Sequence, residues 1–253
     1  MLIPGLALIV WVLVFAAALV GLAVGARLPD RHRTDQSRGV VSVSMAMVGT
    51  LTALVLGLLL SNASVSFRSQ SQLLMSISAN LMRTDVILRA YGPEANDARA
   101  VLRQYAAATL HDIFPPNGGP PQTENEVTLE LFGEAERKLA NLSPATNVQR
   151  WTLEEVKVLV IDGIGNARWK FIVQGENTVP TALLVLLVLW LVLLFASYGL
   201  FAPRHATTMV VLLLSSAATA GAIVLIIDLE RPIGGFVRLS AEPMEHAVAE
   251  LSR

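Results

Sequence analysis

Four apolar runs, residues 3–25, 40–60, 179–201 and 208–227, contain no Asp, Glu, Lys, Arg or His. A helix rises about 1.5 Å per residue, so roughly 20 such residues cross a hydrocarbon core of about 30 Å. A helix also satisfies its own backbone polar groups, which an irregular segment in lipid cannot do. The chain is therefore read as an all-α integral membrane protein with four spans. The first run is not a signal peptide, because it lacks a basic leading region and exceeds the roughly 7–15 apolar residues of one.

Composition supports this reading and removes several others. Only 15% of the residues are charged and 53% are hydrophobic, whereas about 25% charged is usual in soluble domains. A net charge of -1 offers no broad basic face for nucleic acid. With no cysteine there is no disulfide, thiolate nucleophile or Cys-ligated metal, and the redox compartment stays open. The basic residues are mostly Arg, the codon-bias mark of a GC-rich bacterium.

The spans pair into two hairpins. Residues 1–61 form the first and 179–227 the second, with a helical extramembrane domain at 62–178 and a tail at 228–253. In the middle region Leu74, Ile77, Leu81 and Leu88 keep helical spacing. So do Ala98, Val101, Leu102 and Tyr105, and then Leu129, Phe132, Leu139 and Leu142. Gly92-Pro93 ends the first of these helices, and residues 117–122 read as a loop. A last helical stretch runs from about Val148 through Trp169 toward the third span. Neither Pro nor Gly interrupts residues 60–68, so span two is expected to continue out of the bilayer as one long helix. The tail turns away at Pro232, Gly234 and Gly235 before a short terminal helix.

Orientation is not decided by charge. Four Arg in the first hairpin loop and one in the second place both loops in the cytoplasm. Arg68, Arg168, Lys170, Arg231 and Arg238 lie on the opposite side, and the count is nearly even.

Span two carries a stripe of small residues at steps of three or four: Ser42, Ala46, Gly49, Ala53, Gly57, Ser61 and Ser64. One helix face holds them all. Such a face either packs closely against another helix or lines a pore in which small side chains leave room for ions. Ala17, Gly21 and Gly25 repeat the pattern in span one, where bulky apolar neighbours favour packing. Ser215, Ser216, Thr219 and Gly221 in span four are read as helix contacts too.

Asp228, Glu230 and Arg231 stand where span four meets the interface. An acid inside a span is a functional candidate, but at a span's end a boundary residue paired with Arg231 is the plainer account. Of the four His, only His246 has acids at helical spacing, Glu242 and Glu250, an ordinary solvated arrangement. No metal site follows, and no cofactor. No Gly-x-Ser-x-Gly elbow occurs, and Gly163-Ile-Gly165 lacks the third Gly of a dinucleotide loop, so the chain is not read as an enzyme.

Residues 227–243, Ile-Asp-Leu-Glu-Arg-Pro-Ile-Gly-Gly-Phe-Val-Arg-Leu-Ser-Ala-Glu-Pro, resemble the closing signature of the bestrophin-like domain family of bacterial and plant membrane proteins. Residues 56–63 resemble its second-span exit, Tyr105 its tyrosine-bearing helix, and Ala167-Arg-Trp-Lys170 with Pro180 and Trp190 its entry into the third span. Where that family usually has Glu-Ala-Asn after span two, this chain reads Ser78-Ala79-Asn80. A role resting on that acid does not carry over. The resemblance implies kinship with bestrophins, pentameric anion channels whose second span lines the pore and whose helical domain is cytosolic. It carries no calcium activation, since no acidic clasp is present.

The expectation is a homo-oligomeric channel of a bacterial inner membrane, with a pentamer as the implied ring and the lipid bilayer, other copies of itself and permeant ions as its partners. Ser42, Ala46, Gly49, Ala53, Gly57 and Ser61 line the path, and Asn62 and Arg68 stand at its mouth. Asp228, Arg231, Pro232 and Gly234 are structural. With no acid on the path and Arg68 near its exit, anions are favoured. The alternative is a membrane-anchored interaction module whose helical domain binds a partner. A transporter ranks lower, because no span is broken midway by Pro.

Overall fold

The computed structural model describes residues 2–29, 34–116, 121–122, 125–175 and 180–253. The order is α1 (Leu2–Arg27), α2 (Asp35–Tyr91), a 3-10 turn at Pro93–Ala95, α3 (Asn96–Ile113) and α4 (Glu126–Ala140). Then follow α5 (Asn147–Lys157), a π-helical stretch at Val158–Gly165, α6 (Asn166–Gly175), α7 (Thr181–Phe201), α8 (Ala206–Leu229) and α9 (Glu242–Leu251). No strand occurs among the described residues. The helices α1, α2, α7 and α8 are long and apolar enough to cross a membrane, so this is an all-α integral membrane protein. His32, most of the loop at 117–122 and the expected start of the third span at Val179 lie outside the described residues.

The long helix expected from span two is present and runs 57 residues without a break. At about 1.5 Å per residue its length is roughly 85 Å, nearly three hydrocarbon thicknesses. It stops at Gly92, whose φ of 127° is open only to glycine at little cost. Pro93 then prevents any helical continuation. The end is fastened from α5. Gln149 Nε2 donates to the Tyr91 carbonyl at 3.0 Å, and its Oε1 accepts from the Ala145 and Thr146 amides at 2.9 and 3.3 Å. Thr146 in turn caps the Gln149 amide, completing the box that starts α5.

The chain divides into two compact units, Met1–Val65 with Thr178–Glu230, and Ser66–Asn177 with Arg231–Arg253. In the first unit α1 and α7 meet backbone to backbone. A Cβ on Gly21 would lie 2.0 Å from the Ala196 carbonyl oxygen, and one on Gly25 2.2 Å from that of Leu200. From the other side, a Cβ on Gly199 would lie 2.0 Å from the Ala18 oxygen. Val14, Ala18, Leu187, Leu191 and Ile226 fill the core around this seam.

The second unit is a helical bundle. Leu74, Ile77, Leu81 and Leu88 of α2 are all buried in its core with Leu102, Tyr105, Phe132, Leu139 and Val156. Asp85 is buried between two guanidinium groups, accepting from Arg89 Nε at 2.7 Å and Arg99 Nε at 2.8 Å. Arg89 also donates to the Glu250 carbonyl at 2.8 Å, and Met244, Ala247 and Leu251 bury one face of α9. The C-terminal helix is thus part of this bundle. Gly163, in the π-helical stretch, is where α2 approaches closely: a Cβ there would meet Asn80 Nδ2 at 2.6 Å.

Candidate functional site

The small stripe of α2 points away from the packed interior of its own unit. Ser42, Ala46, Ala53, Gly57 and Ser61 are exposed and Gly49 is half-buried. A Cβ on Gly57 would have open space within 4 Å, and one on Gly49 would only touch Leu194 Cδ2 at 3.8 Å. The helix packs through another flank, where Thr52, Leu59 and Ala63 are buried. The contrast with α1 is sharp. Gly21 and Gly25 are occupied by α7 backbone, whereas no described residue lies within 4 Å of a Cβ on Gly57.

The chemistry of the face is weakly polar and uncharged. Thr50 and Thr52 donate to the Ala46 and Val48 carbonyls at 2.9 and 2.7 Å, so these hydroxyls are spent within the helix. Large apolar side chains, Val43, Met47, Leu51 and Leu54 among them, are exposed beside the stripe. That surface suits lipid tails or other helices. At one end of the stripe Ser42 lines a crevice of about 250 Å³ with Arg38, Met45, Ser197, Tyr198 and Phe201. Reading the sequence by spans missed Arg38. Its position four residues before Ser42 was the available signal, since that spacing places it one turn away on the same face.

Asn62 and Arg68 occupy exposed positions of α2, Asn62 next to Ser61 and Arg68 one turn past Ser64. Asp228 is buried near the end of α8, at 2% exposure, and is engaged by other groups. Arg231, Pro232 and Gly234 form a closed turn rather than an extended tail. The Arg231 carbonyl accepts from the Gly234 and Gly235 amides at 3.2 and 3.1 Å, and that of Pro232 accepts from Leu239 at 2.8 Å. Among the described residues no three His, Asp or Glu side chains gather as metal ligands.

A second polar locus, which the sequence did not announce, lies inside the helical bundle. Tyr105 is fully buried, its ring packed on Phe132 with centroids 5.2 Å apart. The Arg168 guanidinium stands 5.9 Å from the centre of the Tyr105 ring. Burial raises the phenol above its ordinary range, and the Arg168 charge and the Thr109 hydroxyl partly counter that.

These elements define a class: a helical membrane protein with four helices long enough to cross a membrane and a second unit that is a helical bundle. A model of the bestrophin-like domain matches residues 12–244, and the chain belongs to the bestrophin-like domain family. In shape it is similar to a bacterial bestrophin homologue from Klebsiella pneumoniae, with a TM-score of 0.73 at 14% identity over 96% of each chain. A substituted form of that homologue gives 0.74 at 16% identity, over 97% of this chain and 95% of the other. Another structure, described as a membrane protein, gives 0.69 at 15% identity over 97% of both. No curated protein sequence matches the chain.

Proposed function

We propose that the chain assembles with copies of itself into an ion channel of a bacterial inner membrane, with α2 lining the conduction path. The observation that carries this reading is the exposed stripe: Gly57, Ala53 and Ser61 are small, uncharged and exposed, and no described residue covers Gly57. A span that served only as an anchor would face lipid with bulky apolar side chains. A channel wall must bind ions weakly enough to release them, and small uncharged residues meet that need. Ser42, Ala46 and Gly49 extend the wall, Asn62 and Arg68 form its mouth, and a ring of five is the assembly that the family kinship implies. With no carboxylate on the stripe and Arg38 beside Ser42, the path favours anions.

The test is ion flux into liposomes holding the purified protein, under chloride and then potassium gradients, with Gly57→Trp as the comparison. Chloride flux that the variant abolishes while it still assembles supports the reading. Unaltered flux in that variant removes α2 from the path.

One observation favours a second reading, an anchored interaction module. Val148 and Trp151 are 75% and 86% exposed on α5, bounding a shallow hollow with Asn147, Thr152 and Glu155. Large apolar side chains held so far out of a core mark a protein contact. No flux from the intact oligomer, together with an unchanged oligomer in Gly57→Trp, would move the function to that surface.

A further inference from the structure

The crevice between the start of α2 and the end of α7 has a polar mouth and an apolar continuation. Arg38 and Ser42 form one wall, and Ser197, Tyr198 and Phe201 form the other. All of them belong to the first unit, so packing of the spans alone creates the space. Its place on α2 is particular. That helix buries one flank through Thr52, Leu59 and Ala63, and its small stripe faces away from it. At about 100° per residue, Arg38, Ser42 and Met45 fall on the shoulder between the two.

Charge selects the occupant. Gly25 packs on Leu200, which brings Arg27 to the same end of the unit, and Arg204 follows Pro203 of the crevice wall. Against these and Arg38 the described residues of the two hairpin turns hold a single acid, Asp35. None of the three Arg joins an ion pair among the described residues, not even Arg38 with Asp35 three positions before it. The hydroxyls of Thr50 and Thr52 are spent on carbonyls of their own helix, whereas those of Ser42, Ser197 and Tyr198 make no such bond among the described residues. An unpaired guanidinium beside free hydroxyl donors suits an oxyanion, whose oxygens the Arg fork meets two at a time.

Size and depth narrow the class. The crevice measures about 250 Å³, far above the roughly 10–15 Å³ that holds one water, so it admits a phosphate together with part of a glycerol. Tyr198 stands edge-on to Phe195 with centroids 5.8 Å apart, an amphipathic ring at a span's end, where lipid head groups lie. One turn deeper than Ser42 and Ser197, Ala46 and Leu193 are exposed. Beside them Gly49 meets only Leu194 Cδ2, at 3.8 Å from its Cβ position. A furrow of small and apolar side chains thus leads from the charged mouth along the spans. It offers a free ion nothing, and it offers an acyl chain a bed.

We propose that this crevice binds an anionic phospholipid, with Arg38 holding the phosphate, Ser42 and Ser197 donating to it, and an acyl chain lying over Ala46, Gly49 and Leu193. Basic pockets between spans are suited to such head groups. The site shares Ser42 with the proposed conduction path and leaves Ala53, Gly57 and Ser61 to it. It does not depend on the chain being a channel.

The experiment uses the full-length protein in detergent with an equimolar mixture of phosphatidylglycerol and phosphatidylcholine, read by native mass spectrometry. The parent should retain phosphatidylglycerol in preference to phosphatidylcholine. Arg38→Gln should weaken that retention about tenfold or more, as expected for the loss of charged hydrogen bonds. Ser197→Leu, which fills the crevice and alters no charge, should weaken it too. Arg204→Gln removes the same charge from the same end without lining the crevice and should retain lipid as the parent does. An excess of inorganic phosphate should leave the lipid in place. Equal retention of the two lipids would overturn the proposal. So would equal losses in Arg38→Gln and Arg204→Gln, which would reduce the effect to surface charge, or full retention in Ser197→Leu, which would put the lipid outside the crevice. Displacement by inorganic phosphate would make the occupant the free anion and overturn the lipid.

Discussion

Gly21 of α1 and Ala196 of α7 touch through their backbones, so that a single added Cβ on Gly21 would fall 2.0 Å from the Ala196 carbonyl oxygen. Main-chain atoms cannot step aside as a side chain can. Gly25 against Leu200 and Gly199 against Ala18 repeat the contact along the seam. In a bilayer no hydrophobic force drives helices together, and close approach through small residues takes that part. Gly21→Leu should therefore separate α1 from α7 and cost on the order of 1–3 kcal/mol or more. Thermal unfolding in nanodiscs reads it directly. Gly57→Ala, which adds a Cβ into open space, is the control and should leave the midpoint unchanged or slightly higher.

Asp85 holds the helical bundle by a different device. Its buried carboxylate accepts from Arg89 and Arg99 at 2.7 and 2.8 Å, and Arg89 carries the link on to the Glu250 carbonyl. Asp85→Asn would leave two partly buried guanidinium groups facing a neutral amide. The loss of charged hydrogen bonds should cost roughly 1.5–3 kcal/mol and loosen α9. Limited proteolysis should then cut near the C-terminus well before the parent is cut. Lys157→Ala, which breaks an exposed pair with Glu154, should change stability by less than about 1 kcal/mol.

At the end of α2, Gly92 combines a positive φ with the Glu94 carboxylate, whose Oε2 a Cβ would meet at 2.6 Å. Replacing it with Ala should destabilise the bundle by about 1–2 kcal/mol from the left-handed backbone alone. Gln149→Ala should cost about 1 kcal/mol by dissolving the cap of α5 and releasing the Tyr91 carbonyl. Because both changes act on the same corner, the double variant should fall short of the sum. Chemical denaturation of the three variants measures this shortfall.

The spans were legible because a membrane leaves one solution for long uncharged runs. The long α2 was legible because nothing in residues 60–68 could stop it. Leu74, Ile77, Leu81 and Leu88 keep helical spacing in the sequence, and all four are buried in the bundle core. The stripe on α2 could be seen as a face, but whether its own chain used that face could not. Gly21 and Gly57 look alike in sequence, and only their neighbours differ. The polar cluster at Tyr105, Thr109 and Arg168 was invisible because residues 109 and 168 come from distant helices. Ser78 shows the same limit. Its hydroxyl donates to the Leu74 carbonyl at 2.9 Å and lies 3.9 Å from Met244 Sδ, so the acid that the family pattern usually places here would be buried beside a thioether of α9.

Tyr105 gives the pH dependence its sign. Burial raises its phenol above 10.0 in the folded protein, with Arg168 and Thr109 pulling only partly the other way. The unfolded chain has no such burial and loses the proton through its ordinary range near 10. Above that point the unfolded state binds fewer protons than the folded one, so stability falls as pH rises toward the folded value. Below it, both states are protonated and the contribution of Tyr105 is constant. The expected outcome is an alkaline loss of stability that begins near pH 10 and is reduced in Tyr105→Phe. Tyrosinate absorbance checks the cause separately. Just above pH 10, unfolding the parent should release one more ionisable tyrosine than unfolding the variant, because Tyr91 and Tyr198 are common to both. Equal release from the two proteins would show that the buried phenol ionises in the native bundle, and the alkaline loss would then have another source.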